Sequence, residues 1–228
     1  MIHTYKYTLI NGHIIASTGK SRLLIDTGAP NSVADSMSLA FAGAIHQTQR
    51  SGMGVTPESL SKSVGTPINA LVGVDILNQY DIHIDPIGST LSISENSLPL
   101  SGQHLEMGNL MGIPIINAMV SNDKVRLFFD TGAKLSYLDP DITKEFPLVG
   151  TEKDFYPGVG EFSTNAYDVP IILGTEAVVL RVGTLPMILQ MTLMMAQTNG
   201  ILGTAILQTH KVTYAPRRKT MTLERINA

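Results

Sequence analysis

The chain has 228 residues, 43% of them hydrophobic, and carries 16 basic and 19 acidic residues for a formal net charge of -3. This length and apolar content can bury a core, so we expect a globular protein of one domain or two small ones. The charges form no long block of one sign, which argues against nucleic acid as a partner. The chain has no cysteine, which excludes disulfides and cysteine nucleophiles.

Metal and membrane binding are also disfavoured by the sequence. The six histidines are scattered without a pair at metal-ligand spacing, so neither a metal nor another cofactor is expected. The first residues show no basic region followed by an apolar run, and no stretch approaches the ~18 apolar residues that span a bilayer. We therefore expect a soluble, cytoplasmic protein with no membrane partner.

Taken in chain order, the apolar residues favour strands. The runs 23–25 and 127–129 each end at an aspartate and have the character of buried strands. Apolar residues alternate over 167–173 and again over 185–195, which predicts two more strands, the second with a methionine-rich buried face. Short helical turns are expected in three places: 32–40, 74–79 and 204–209. The predicted fold is mainly β with little helix.

One structural unit is written twice in this sequence. The segments 71–77 (LVGVDIL) and 201–207 (ILGTAIL) match at an offset of 130 residues, and the match continues without a gap to Ile93 and Leu223. A fixed offset over this length is the mark of an internal repeat.

A second pair of motifs lies upstream. Residues 26–29 and 130–133 both read Asp-Thr-Gly-Ala, at an offset of 104 residues, so the second copy has 26 extra residues between Pro140 and Asn199. Residues 95–103 have the composition of a linker. We therefore predict a first lobe over 1–98, a linker over 99–106 and a second lobe over 107–228.

Each Asp-Thr-Gly-Ala turn can hold a carboxylate. A strand that ends in a tight glycine turn can fix Asp26 or Asp130 rigidly at the floor of a cleft. The glycines let the two backbones approach, and the threonine hydroxyls can hydrogen-bond to the opposite turn. The residues expected to support the site are Thr27, Gly28, Ala29, Thr131, Gly132 and Ala133. A pair of plain Asx turns is the alternative, and the paired downstream motifs argue against it.

Both copies resemble the aspartic peptidases, the retropepsins and pepsins. Each lobe of that family has an Asp-Thr/Ser-Gly loop and a later hydrophobic-hydrophobic-Gly motif, which here are 24–29 with 71–73 and 128–133 with 201–203. The short copies, and Ala after Gly, are closer to retropepsins. Retropepsins build one site from two identical chains, whereas this chain carries both halves, as pepsins do.

The resemblance implies a mainly β, two-lobed acid protease fold, each lobe a small closed barrel-like unit related to the other by a pseudo-twofold axis. It also implies an aspartic endopeptidase that acts as a monomer on an extended peptide or protein substrate. Two carboxylates about 3 Å apart share a proton, so Asp26 and Asp130 can activate one water between them. The alternative is a non-catalytic or autoinhibited peptide-binding module on the same fold.

The resemblance further implies a β-hairpin flap over the cleft, between the two motifs of a lobe. In the first copy the candidates are Gly52, Met53 and Gly54, and in the second they are Tyr156 and Gly158. Pepsins carry a flap tyrosine in the first lobe, whereas this chain has no tyrosine between Tyr7 and Tyr80. Either the role of that tyrosine is absent, as in retropepsins, and Tyr156 is an ordinary exposed hairpin aromatic, or Tyr156 supplies a substrate contact from the other side.

Asp35 and Asp139 follow the two candidate aspartates at the same spacing of nine residues. A third catalytic acid is one interpretation of this spacing. A turn or a helix cap is the interpretation that the local sequence favours, because Asp139 precedes Pro140 and Asp35 precedes Ser36.

Overall fold

The computed structural model describes residues 1–52, 54–156 and 159–226 and is mainly β, as predicted. The first half, to residue 98, contains the strands and helices β1 (Ile2–Ile10), β2 (His13–Thr18), β3 (Ser21–Ile25), β4 (Val33–Ala34), β5 (Ser38–Phe41), β6 (Ala44–Gln47), α1 (Pro57–Val64), β7 (Ala70–Val72), α2 (Val74–Leu77), β8 (Asp81–Asp85) and β9 (Thr90–Ser94).

The second half contains the larger number of strands, together with 3-10 turns at Thr204–Gln208 and Pro216–Arg218. Its strands and helices are β10 (Gln103–Leu110), β11 (Ile113–Val120), β12 (Asp123–Phe129), β13 (Ser136–Leu138), α3 (Pro140–Thr143), β14 (Leu148–Tyr156), β15 (Gly160–Leu173), β16 (Glu176–Gly183), α4 (Met187–Met195), β17 (Gly200–Leu202), β18 (His210–Ala215) and β19 (Thr220–Arg225).

The strand that leads into each aspartate has the same neighbours in both halves. In the first half β3 pairs antiparallel with β2 and parallel with β7, where Leu24 lies opposite Leu71. In the second half β12 pairs antiparallel with β11 and parallel with β17, where Phe128 lies opposite Ile201. The strand ending at aspartate therefore lies beside the strand ending at the apolar-glycine motif.

Strands of the two halves pair with each other, so one network of strands runs through the molecule. β8 of the first half pairs antiparallel with β18 of the second, with Ile82 opposite Tyr214 and Ile84 opposite Val212. The prediction of a separate small closed barrel in each lobe is therefore not confirmed. Residues 103–106 of the predicted linker lie in β10, and the division into lobes 1–98 and 107–228 stays a prediction.

A buried aspartate links the halves at this junction. Asp81, at the start of β8, is fully buried and accepts hydrogen bonds from the backbone N–H of Leu98 at 2.9 Å and from Arg217 Nη2 at 3.0 Å. Arg218 also pairs with it. Because a buried carboxylate is stable only when it is paired and hydrogen-bonded, these contacts fix β8 against the 3-10 turn of the second half.

The strand predicted over 185–195 is wrong, because Met187–Met195 is the helix α4. The alternation over 185–195 is broken by Ile188 and Met194, which would place apolar side chains on both faces of a strand. Methionine, leucine, glutamine and alanine also have high helix propensity. The predicted buried methionine face is wrong as well, since Met187, Met191, Met194 and Met195 are exposed. Within the described ranges, no helix is both long and apolar enough to cross a membrane.

The helical turns predicted at 74–79 and 204–209 are confirmed as α2 and a 3-10 turn. The one predicted at 32–40 is wrong, because this segment forms β4, paired with β7, and β5, paired with β6.

Asp139 caps α3 by accepting from the N–H of Asp141 at 2.8 Å, which confirms a cap. Asp35 accepts from Asn69 Nδ2 at 3.1 Å and lies outside any helix.

Candidate active site

Asp26 and Asp130 follow directly on β3 and β12. Each continues the parallel ladder by one hydrogen bond, since the N–H of Asp26 donates to the carbonyl of Val72 and that of Asp130 to the carbonyl of Leu202, both at 3.0 Å. Their side chains are only 8% and 7% exposed. The two sheets therefore deliver two carboxyls to one nearly dry location.

The two turns are braced against each other by four reciprocal hydrogen bonds. The backbone N–H of Thr27 donates to Thr131 Oγ1, and the N–H of Thr131 donates to Thr27 Oγ1, both at 3.0 Å. Thr27 Oγ1 donates to the Phe129 carbonyl at 2.7 Å, and Thr131 Oγ1 donates to the Ile25 carbonyl at 2.8 Å. Every donor in this buried set is satisfied, so the separation of the turns is rigidly fixed.

The glycines of the turns place each carboxyl against the opposite turn. Gly28 N–H donates to Asp26 Oδ1 at 2.9 Å, and Gly132 N–H donates to Asp130 Oδ1 at 2.8 Å. A Cβ on Gly28 would lie 2.3 Å from Asp130 Cγ, and a Cβ on Gly132 would lie 2.5 Å from Asp26 Cγ. The carboxyls can therefore approach only because neither turn has a side chain here.

The alanines that follow these glycines hold the turns against the apolar-glycine motifs. The carbonyl of Ala29 accepts from the N–H of Val74, and that of Ala133 accepts from the N–H of Thr204, both at 2.9 Å. A Cβ on Gly73 would lie 2.6 Å from the Ala29 carbonyl oxygen. The second motif of each half thus acts as a close-packed support beneath the aspartate turn.

Burial changes the acidity of both carboxyls. Burial, and then repulsion from Asp130, raises the pKa of Asp26 well above its usual value. Burial also raises the pKa of Asp130, opposed in part by the N–H groups of its own turn. Because a low-dielectric site disfavours two adjacent negative charges, the pair retains a shared proton at pH values where an exposed aspartate is ionised.

Both carboxyls face a single cleft with apolar walls. The first half contributes aliphatic side chains to one wall, and the second half contributes aromatic and aliphatic side chains to the other. The wall residues are Leu24, Val55, Leu60, Val64 and Leu71 on the first side and Tyr137, Phe155, Phe162, Leu185 and Ile201 on the second. Such a concave apolar site with a few convergent polar groups is the usual form of a binding site.

Two of the first-half flap candidates, Gly52 and Gly54, lie where the chain turns back on itself. Gly52 N–H donates to the Val55 carbonyl at 3.1 Å and the Val55 N–H donates back at 2.9 Å. Gly52 lines the cleft, whereas Gly54 is exposed. Met53, and Gly158 of the second half, lie outside the described residues.

The second-half candidate Tyr156 lies beside the aspartates. It ends β14, in the long hairpin with β15, and lines the cleft. Burial, followed by the negative charges of Asp130 and Asp26, raises the pKa of its hydroxyl. This location disfavours an ordinary exposed hairpin aromatic.

The side chains that tether this hairpin are not among the predicted site residues. Glu152, Asp154 and Tyr156 alternate along β14 and so share one face of the strand. Lys134 Nζ lies 3.2 Å from Glu152 Oε2, and the hydroxyl of buried Tyr137 donates to Asp154. The period-two spacing of polar residues before Tyr156 is the signal that could have shown them. These contacts anchor the β14–β15 hairpin to the segment that follows the Asp130 turn, which contains Lys134 and Tyr137.

His13 is another cleft residue that the sequence did not point to. It lies in β2, is buried and lines the cleft, and burial lowers its pKa so that the neutral imidazole is favoured. His13 is one of six scattered histidines, and nothing in the neighbouring sequence indicates that it lies in the cleft.

No family model matches the chain, and comparison with curated proteins finds no matching sequence. Chains of solved structures do match, among them the simian foamy virus (mac) protease in solution. That match has 15% identity and a TM-score of 0.30, and covers 39% of this chain and 86% of that one. A likeness of this size carries no argument, so the function proposed below depends on the geometry of this chain.

Proposed function

We propose that the chain is an aspartic endopeptidase of the two-lobed acid protease type, which hydrolyses peptide bonds with a water held between Asp26 and Asp130. The observation that carries the proposal is the reciprocal packing of each carboxyl against the glycine of the opposite turn. Two plain Asx turns would not need to face each other, or to be braced by four buried hydrogen bonds between Thr27, Thr131 and the preceding carbonyls.

The chemistry follows from one proton shared by two carboxyls. The ionised member takes a proton from the water, whose oxygen attacks the carbonyl carbon of the peptide bond, while the protonated member donates to the carbonyl oxygen. In the resulting gem-diol, the carboxyl that took the water proton donates it to the amide nitrogen, while the other carboxylate accepts a proton from a gem-diol hydroxyl. The C–N bond then breaks to give the free amine and a carboxylic acid, and the pair again holds one proton. The coupled titration belongs to the pair, so neither aspartate is assigned a fixed role.

The cleft suits an extended peptide. Apolar walls on both sides of the aspartates can accept apolar side chains flanking the cleaved bond. The β14–β15 hairpin supplies the flap in this proposal, because Tyr156 lies beside the pair and Glu152 and Asp154 hold the strand in place. Residues on a closed flap exclude water and position the substrate backbone.

One chain supplies both aspartates, so the proposed active unit is a monomer. Activity per mole is expected to stay constant on dilution into the nanomolar range. A steep fall on dilution would instead place the working cleft between chains.

A peptide library with mass-spectrometric readout tests the proposal. Wild-type protein should cut peptides at defined bonds, whereas Asp26→Asn and Asp130→Asn should leave them intact while remaining folded by circular dichroism. Peptides that are bound but never cut by the wild type would contradict catalysis and support the peptide-binding alternative. Cleavage that persists in either variant would contradict the role of the aspartates.

A further inference from the structure

The outer face of α4 is unusually apolar for a surface helix. Five large side chains within nine residues are each more than half exposed: Met187, Ile188, Met191, Met194 and Met195. Contiguous apolar surface of this kind on a soluble protein marks a binding site more often than a free surface.

The corresponding helix of the first half shows that the fold does not require this face. α1 precedes β7 as α4 precedes β17, and Pro57 and Met187 are related by the same offset of 130 residues as the downstream repeat. The outer face of α1 carries Glu58 and Lys62, which form an exposed ion pair at 2.8 Å. One position in the fold therefore carries a solvated face in one half and an apolar face in the other.

The chemistry around α4 specifies the character of its ligand. No charged residue occurs from residue 182 to residue 209. Helices that lie on anionic membranes carry lysine or arginine on their polar face, and α4 has neither. Methionine side chains are flexible and polarisable and adapt to varied apolar partners. The face therefore fits an uncharged, apolar polypeptide segment.

A groove beside α4 adjoins the cleft that holds the aspartates. The groove has a volume of about 410 Å³ and is lined by Met191 and Met194 on the helix and by Leu138 and Pro140 opposite. Polar side chains also line it, among them Gln190, Gln197, Asn199 and one carboxylate, Asp139. Leu185 lines both the groove and the cleft that holds the aspartates. The groove and the cleft therefore share a wall at Leu185, and a substrate longer than the cleft has the groove as its neighbour.

We propose that α4 and this groove bind an uncharged, apolar segment of the substrate, remote from the bond that is cut. The proposal rests on the peptidase function proposed above and adds a requirement to it: good substrates carry a second apolar stretch beyond the residues in the cleft. Remote binding that is equal in the ground and transition states lowers KM and leaves kcat unchanged.

Two peptides with the same cleaved bond test this. One continues into an uncharged apolar segment and the other into a serine-glycine segment of equal length. The wild type is expected to cut the apolar peptide with a KM at least about fivefold lower and the same kcat. The double variant Met191→Glu, Met194→Glu should lose that difference, whereas the control Lys62→Glu, on the outer face of α1, should keep it.

The proposal is overturned if the wild type shows no difference between the peptides, or if the double variant keeps it. It is equally overturned if sedimentation shows that the two substitutions dissociate a dimer, or abolish binding to neutral lipid vesicles, without changing KM. Fluorescence anisotropy of the apolar peptide with Asp26→Asn protein separates this test from the proposed catalysis. Binding there that the two α4 substitutions remove supports the α4 site even if the wild type cuts nothing.

Discussion

Adding one methyl group at Gly28 should disable the site. In Gly28→Ala the new Cβ would lie 2.3 Å from Asp130 Cγ and equally close to one of its oxygens. Carbon atoms in ordinary contact are about 3.5 Å or more apart, so the carboxyl must move by roughly 1 Å. Gly132→Ala makes the same demand on Asp26, where the distance to Cγ is 2.5 Å.

The size of the effect follows from that displacement. A misplacement of ~1 Å at a reacting group lowers the rate by about 100-fold. Overpacking of a tight site also costs about 1–3 kcal/mol of stability. We therefore expect Gly28→Ala to lose about two orders of magnitude in kcat while the protein remains folded at 25 °C.

Gly108→Ala is the matched control. Gly108 lies in β10, has no left-handed backbone conformation, and has no heavy atom within 4 Å of the position its Cβ would take. The kcat and Tm of Gly108→Ala should equal those of the wild type. The assay is kcat on a peptide taken from the library, together with Tm by calorimetry. If Gly28→Ala keeps the kcat of Gly108→Ala, the reciprocal packing of carboxyl and glycine does not control the chemistry.

Three further outcomes are expected. Asp81→Asn should reduce the free energy of unfolding by about 3–5 kcal/mol in a urea titration, because it leaves two arginines beside a neutral group, and a loss below about 1 kcal/mol would contradict the role of this ion pair. Ala29→Ser with Ala133→Ser should move the acid limb of the pH-rate profile to lower pH, because a hydroxyl donor stabilises the ionised carboxyl, and the wild-type optimum should be mildly acidic; a wild-type optimum near pH 2, or a limb moving upward, would argue against it. The folded-state pKa of Asp26 is raised, so folding favours the protonated carboxyl. The resulting stabilisation is fully present below the usual aspartate pKa and is lost as the pH rises through the folded-state pKa. Each pKa unit between the unfolded and folded states corresponds to about 1.4 kcal/mol of unfolding free energy. Asp26→Asn should therefore raise Tm at pH 7 and not at pH 3, and an equal change at both values would contradict this.

The parts of the site predicted from sequence are those set by local chemistry. A buried apolar strand followed by Asp-Thr-Gly-Ala predicts a rigid carboxylate wherever it occurs, and Asp26 and Asp130 directly follow β3 and β12. The threonine contacts across the turns also follow from the motif, since a hydroxyl two residues after a strand has few other partners.

The parts that were missed depend on tertiary contacts or on ambiguous periodicity. Tyr137 and Asp154 lie 17 residues apart and meet only because the β14–β15 hairpin folds back over β13. Most residues of Met187–Met195 are apolar, so alternation and helical spacing both fit this sequence and the pattern does not distinguish a strand from a helix. The strand pairing between halves, such as Ile82 with Tyr214, likewise has no local signal.

Comparison of the two single aspartate variants with the double variant tests the central claim most directly. With one library-derived peptide, Asp26→Asn and Asp130→Asn should each lose about 10³-fold or more in kcat, since each removes a proton-transfer partner of the same water. The double variant should be no slower than either single variant, because residues that act as one unit have non-additive effects. Losses that multiply in the double variant, or substantial activity in either single variant, would contradict a single water activated between the two carboxyls.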